Sequence, residues 1–188
     1  PEALETFFAK REFRGINVTI PYKRTAMSLV DEVSPLARRI GAINTVVNRG
    51  GVLYGDNTDY YGFSALAAKA GVDFKGKNVC ILGTGGTSRT AETVCLDAGA
   101  KSVYKVSRAG GCNYNNVYDR TETEIVVNTT PAGMYPYDGE TIVDLSRFPD
   151  LSGALDVVYH PLRTNFVLQA QSLGVPAAGG LYMLVAQA

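Results

Sequence analysis

The sequence predicts an α/β protein, with one domain built on a doubly wound parallel sheet and a second, smaller α/β domain. Three observations carry this. From Lys77 onward, short apolar runs alternate with stretches of helical periodicity, the order that results when helices cross between parallel strands. The first of those runs feeds a glycine-rich turn, Gly83-Thr84-Gly85-Gly86, which opens directly onto a helix-patterned segment. Ahead of residue 60 the rhythm differs, with apolar/polar alternation and a Gly-Gly turn, as in a small sheet with one solvated face.

In chain order, residues 16–20 alternate apolar and polar side chains as a strand does, and Pro21 ends that run where a helix can begin at its favoured first position. Ala26, Leu29, Val30 and Val33 then fall on one helical face. Ser34-Pro35 reads as an N-cap followed by a first-turn proline, and Gly41 closes that short helix. Residues 45–48 and 52–54 flank Gly50-Gly51 and predict a hairpin. Asp59 precedes a helical run over 63–70 that Gly71 ends, a helix placed to bridge the two domains. Residues 79–82 form an apolar strand, 87–98 a helix stopped by Gly99, and 102–106 a second strand. Strands over 124–128 and 154–158 and a helix over 165–173 supply the other half of this domain, and 181–188 reads as a helix.

Composition removes several classes of function. Eighteen basic residues balance eighteen acidic ones, so no net field favours nucleic acid or an anionic membrane, and an anionic ligand must be held by local geometry. The eleven tyrosines are not interleaved with basic residues as in a nucleic-acid platform. No apolar run approaches the roughly 18 residues that span a bilayer, and no basic-then-apolar leader opens the chain. Cys80, Cys95 and Cys112 cannot all pair with one another and lack C-x-x-C spacing, which fits a reducing, cytoplasmic setting. His160, the single histidine, precedes Pro161 in what reads as an extended loop, so neither a Ser-His-Asp triad nor a multi-histidine metal centre is expected. The start at Pro1 and the end inside a helix pattern read as part of a longer polypeptide.

The glycine turn is the feature built for phosphates. A strand that delivers such a turn to a helix N-terminus lets backbone N–H groups and the helix dipole hold a pyrophosphate. Gly83, Thr84, Gly85, Gly86 and Thr87 fit that role in a Rossmann-type domain, with Ser88 where the usual fingerprint has a third glycine. A carboxylate that binds the ribose 2′-hydroxyl of NAD belongs at the end of the second strand; Ser107-Arg108 stands there instead. A guanidinium forks onto a 2′-phosphate, so NADP is favoured. The competing account of Arg108 is a solvated loop residue.

Elsewhere, Lys23 lies near an expected helix start, where a cation opposes the dipole, and this hints at function. Asp59 reads equally as an N-cap. With these residues in view, Asn17-Val-Thr-Ile-Pro-Tyr-Lys23, Gly41-Ala-Ile-Asn-Thr45 and Gly55-Asp-Asn-Thr-Asp59 closely resemble the shikimate dehydrogenase family. Gly83-Thr-Gly-Gly86, Asn128-Thr-Thr-Pro-Ala-Gly-Met134 and Gly180-Leu-Tyr-Met-Leu-Val-Ala-Gln187 continue the resemblance in order. It implies interconversion of 3-dehydroshikimate and shikimate with NADP, and Lys23 and Asp59 as the catalytic pair. It further implies that Asn17, Thr19, Asn44, Tyr159 and Gln187 bind substrate, and that Asn128, Thr129, Met134 and Gly180 lie at the cofactor. The domains it implies are 1–60 with 180–188 for substrate, incomplete, and 61–179 for NADP. The partner is the small substrate, with no nucleic acid and no membrane, in a monomer or homodimer.

Set against the family, nothing before Asn17 matches the serine-rich Ser-x-Ser motif that grips the substrate carboxylate, the first strand of the substrate domain is missing with it, and the C-terminal helix is cut short after Gln187. Two rival readings remain at this stage. One is an NAD-dependent quinate/shikimate dehydrogenase, for which the acidic residue is missing near Arg108. The other is a non-catalytic dinucleotide-binding sensor, which has no need of both Lys23 and Asp59.

Overall fold

A computed structural model describes residues 2–19 and 21–188. The chain divides into two compact units, Pro1–Thr58 and Asp59–Ala188. In the first unit, helix α1 (Glu2–Lys10) leads to β1 (Gly15–Asn17), a 3₁₀ turn (Thr25–Leu29), β2 (Glu32–Val33), α2 (Pro35–Ile40), β3 (Thr45–Arg49) and β4 (Val52–Asp56). The sheet order is β1-β3-β4-β2; β3 is antiparallel to both its neighbours, and β2 runs parallel to β4. Its core gathers Phe8, Val18, Ala26, Ala37, Ile43, Val46 and Leu53.

Here the local signals hold where they are self-contained. Ser34 caps α2 by accepting from the Ala37 N–H at 3.0 Å, Pro35 is the first helical residue, and Gly41 closes the helix in the left-handed conformation. The expected strand over 16–20 ends at Asn17, because the Thr19 carbonyl accepts from Tyr22 N–H at 2.8 Å and turns the chain; Ile20 lies outside the described residues. The helix expected through Ala26, Leu29, Val30 and Val33 is a correction. Only Ala26 and Leu29 lie in the 3₁₀ turn, Val30 is extended, and Val33 pairs with Gly55 in β2. Asp31 draws this segment onto the sheet: its N–H donates to Leu53 O at 3.1 Å and its carboxylate accepts from Leu53 N–H at 2.8 Å. A bidentate Arg11 pair at 2.8 Å holds the same carboxylate below its ordinary range.

The second unit runs α3 (Asp59–Ala70), β5 (Asn78–Leu82), α4 (Gly86–Asp97), β6 (Ser102–Val106), β7 (Ile125–Asn128), β8 (Gly153–Asp156), α5 (Asn165–Ser172), β9 (Ala177–Ala178) and α6 (Leu181–Ala186). Its five strands are all parallel, in the order β6-β5-β7-β8-β9. Every residue of β5, β7 and β8 is buried, as parallel strands covered on both faces require. Alternate residues serve opposite sides. Val79, Ile81, Ile125, Val127 and Leu155 pack with α3 and α4, while Cys80, Leu82, Val126 and Ala154 pack with α5 and with Val117, Leu145 and Phe148. Among the described residues, no helix is long and apolar enough to cross a membrane.

Candidate active site

In the first unit, three motif segments converge on one amide. Asn44, 3% exposed, donates its main-chain N–H to Asp56 O at 3.0 Å, while its carbonyl accepts from Val18 N–H at 2.7 Å. Its side-chain oxygen takes Thr58 N–H at 2.8 Å and the Thr45 hydroxyl at 3.1 Å, and its Nδ2 donates to Thr58 Oγ1 at 3.0 Å. One residue earlier, Ile43 N–H bonds the Lys23 carbonyl at 2.9 Å. The segment before Lys23, the one around Asn44 and the one ending at Thr58 are therefore tied together at the end of β4. Asn17 closes β1 opposite Thr45, and it and Thr19 expose their side chains; Lys23 is half-buried in the turn that leads to the 3₁₀ segment. Asp59 follows Thr58 in sequence and is the buried first residue of α3.

The second unit collects its candidate residues at one edge. In a parallel sheet, the loops after every strand leave from the same side. Those after β5, β6, β7 and β8 carry Gly83–Thr87, Ser107-Arg108, Asn128–Met134 and Tyr159. Strand order reverses between β5 and β7, the place where open sheets of this kind form a ligand crevice. Gly83 follows β5 with φ +106°, and a Cβ there would stand 2.9 Å from Thr129 Oγ1, itself bonded to Leu82 O at 2.6 Å. Glycine thus lets the first loop lie against the third. Gly85 flanks α4, whose first-turn N–H groups at Gly86 and Thr87 have no acceptor within the helix. Ser88 is fully buried and donates to Gly85 O at 2.8 Å, so a small hydroxyl fills the third-glycine position.

These features fit a dinucleotide: a helix N-terminus for phosphates, a cradle a methyl group would fill, and an exposed Arg108 with no carboxylate beside it in the 107–112 turn. Burial raises the Tyr114 phenol above its ordinary range, and the Arg108 charge opposes that rise. Met134 is 40% exposed and closes a turn on Pro131, and Tyr159 is 47% exposed. Gly180 precedes α6 with a different constraint. A Cβ there would sit 2.1 Å from Val157 O, so the absent side chain brings α6 against the end of β8. Gln187 ends α6 half-buried, its Nε2 donating to Leu184 O at 3.3 Å.

Sequence reasoning missed Asp156 and Thr164, both buried, and half-buried Thr130, which form a network with Asn128. Asn128 Oδ1 accepts from Thr130 N–H at 3.0 Å and from its hydroxyl at 2.7 Å, and its Nδ2 donates to Asp156 at 3.0 Å. The available signal was an acid ending an otherwise apolar strand. Thr58 was also missed as the partner of Asn44. His160 packs against the Tyr135 ring, centroids 5.7 Å apart, and no group of three or more potential metal ligands occurs among the described residues.

The model of the shikimate dehydrogenase substrate binding domain matches residues 1–46. A shikimate dehydrogenase (NADP(+)) of Clostridium perfringens strain SM101 is 38% identical over 187 residues, covering 93% of this chain and 69% of that protein. A chorismate mutase/shikimate 5-dehydrogenase fusion protein from Clostridium acetobutylicum superimposes with a TM-score of 0.89 at 36% identity, over 99% of this chain and 72% of the other. Shikimate 5-dehydrogenase from Thermus thermophilus, in complex with NADP(H) and shikimate, gives 0.85 at 33% identity, over 99% and 75%. Fold and loops make this an α/β protein of the Rossmann class. With this identity and coverage, the chain belongs to the shikimate dehydrogenase family.

Proposed function

We propose that the protein catalyses the reversible reduction of 3-dehydroshikimate to shikimate with NADPH, a step of aromatic amino-acid biosynthesis, in the cytoplasm as a monomer or homodimer. The observation that carries this reading is the bonding around Asn44, which fixes the Lys23, Asn44 and Thr58 segments together in a chain of this family. Hydride transfer to a ketone builds negative charge on its oxygen. The Lys23 ammonium stabilises that charge and supplies the proton, and Asp59 holds Lys23 and a substrate hydroxyl in register. Asn17, Thr19, Asn44, Tyr159 and Gln187 bind ring hydroxyls, and polar pairing of this kind rejects analogues that lack one. Bound NADPH supplies the hydride. Gly83, Thr84, Gly85, Gly86, Thr87, Asn128, Thr129, Met134 and Gly180 surround it, and Ser107 and Arg108 select its 2′-phosphate. Residues 1–60 and 180–188 serve the substrate in this reading, and 61–179 the cofactor.

The test is formation of reduced nicotinamide by the full-length protein with shikimate or quinate, each with NADP⁺ or NAD⁺. Turnover confined to shikimate with NADP⁺ is expected. Quinate oxidation with NAD⁺ would favour the quinate/shikimate rival, and no turnover in any combination would leave only a dinucleotide-binding sensor. Lys23→Ala is expected to remove most turnover and to leave NADP⁺ binding nearly intact; equal loss of both would count against its role.

A further inference from the structure

Among the described residues, the mechanism leaves one buried carboxyl unused. Asp156 ends β8 with no exposed surface, and three donors converge on its carboxylate. Asn128 Nδ2 and Val158 N–H each reach Oδ1 at 3.0 Å, and Thr164 Oγ1 reaches Oδ2 at 2.6 Å. They come from the end of β7, the loop after β8, and the N-cap of α5. Asn128↔Asp156 is the last pair of the β7–β8 ladder, so beyond it side chains must do what strand pairing no longer does. We propose that Asp156 is a positioning residue: by holding Asn128 and the Val158 amide on one oxygen, it sets where Tyr159 stands relative to the Asn128–Met134 loop. This rests on the assignment of Tyr159 to substrate and of that loop to cofactor.

The surrounding chemistry requires an acceptor. All three neighbours donate, and burial and these hydrogen bonds set the state of this carboxyl. Tyr135, Tyr137, Asp138, Glu140 and Asp144 are the titratable groups over 129–144, Tyr159 and His160 lie on the loop after β8, and Arg163, beside Thr164, is turned to Gln171. Asn128 cannot turn its amide round, because its oxygen is committed to Thr130, and Thr164 Oγ1 already accepts from Val167 N–H at 3.3 Å. A proton on Oδ1 would therefore face two fixed donors, whereas one on Oδ2 would meet the Thr164 hydroxyl, which has a second lone pair to accept it. Burial raises its pKa to about 6 against the three hydrogen bonds, so as pH falls through that value these bonds lose their charge-assistance. A second tie, Tyr135 N–H to His160 O at 3.0 Å, joins the same loops on the other side of Tyr159.

The experiment compares Asp156→Ala, Asp156→Asn, Thr164→Val and Tyr159→Phe in the full-length protein, by KM and kcat for shikimate across pH, per folded molecule. Asp156→Ala is expected to raise the shikimate KM roughly tenfold. Asp156→Asn, which keeps an acceptor for Asn128 and Val158, should restore it to within about threefold. Wild-type KM should rise below about pH 6 only to about the value of Asp156→Asn, which mimics the protonated acid and should show no such step, and the step should move to higher pH in Thr164→Val, which loses a hydrogen bond that favours the ionised form. A lower melting temperature with KM unchanged would make the role purely structural and overturn the proposal. Should Asp156→Ala not fold, an unmoved pH break in Thr164→Val overturns it equally. If Tyr159→Phe leaves KM unchanged, the assignment of Tyr159 to substrate fails and the proposal with it; if it raises KM while Asp156→Ala does not, only the proposal fails.

Discussion

Gly83→Ala tests whether the turn after β5 is a close-packed cradle. The φ of +106° is open to glycine, and an L-residue forced into such a region carries strain of about 1–3 kcal/mol. The new methyl would meet Thr129 Oγ1 at 2.9 Å and Thr130 Cγ2 at 3.1 Å. Thr129 cannot withdraw freely, because its hydroxyl is bonded to Leu82 O at 2.6 Å and giving that up costs about 1 kcal/mol. Strain and contact together predict a loss of about 2–5 kcal/mol, a large part of a domain's stability. Urea unfolding followed by circular dichroism reads this as a lower midpoint at constant slope. A double-mutant cycle with Thr129→Ala isolates the contact: removing the hydroxyl should recover about 1–2 kcal/mol and leave the backbone strain. A Gly83→Ala midpoint within about 0.5 kcal/mol of wild type, or additive single and double variants, would refute the reasoning.

Three further outcomes are expected. Burial raises the Cys80 thiol to about 12 and Cys95 also well above its ordinary value, so iodoacetamide on the native protein should modify half-buried Cys112 first, with all three reacting in urea; mass spectrometry showing Cys80 or Cys95 labelled as fast as Cys112 would contradict this. Asn44→Ala strips Thr58 N–H of its acceptor and should cost about 1–3 kcal/mol, with faster amide exchange at Thr58; unchanged exchange would remove Asn44 as the fastener. Asp156 is raised from 3.8 to about 6 by burial, so the folded state binds its proton more tightly; its contribution to stability is fully present below about pH 4 and is lost as pH rises through about 6. Wild type should therefore lose on the order of 3 kcal/mol relative to Asp156→Asn across that window, and parallel stability curves would show that the buried charge is not the cause.

What could be read in advance divides by range along the chain. The Ser34-Pro35 cap, the Gly50-Gly51 hairpin and the Gly83 turn are written in adjacent residues, and each appears in the structure as expected. Val33 was misread because its helical spacing from Ala26 and Leu29 is real, yet Leu53 offers Asp31 both a donor and an acceptor from 22 residues away. Helix α1 escaped notice although Pro1 precedes it in sequence and Phe8 enters the core. Lys23 was hinted at by a cation near an expected helix start, but its role, like that of Asn44, was legible only through resemblance. The dependence of both on the end of β4, through Ile43 N–H, Asp56 O and Thr58, is a property of strand pairing that no local spacing encodes.

Both units solve the same problem at the ends of their strands. Where a ladder stops, the leaving loops have backbone donors and no partner strand, and apolar packing, being non-directional, cannot set their angles. Asn44 meets this in the first unit by taking Thr58 N–H, and Asp156 meets it in the second by taking Val158 N–H while gripping Asn128. Each is a short polar side chain at the strand edge, nearly or fully buried, where a missing partner costs about 1–3 kcal/mol. That penalty makes each network close to all-or-none: an isosteric apolar side chain would keep the volume and release the loops. Loop geometry should therefore respond more sharply to Asn44→Leu or Asp156→Leu than to a core truncation of equal stability cost, such as Leu53→Ala or Leu155→Ala. Amide exchange at Thr58 and Val158, compared between the two kinds of variant, decides the matter; equal protection in both would show that packing alone places the loops.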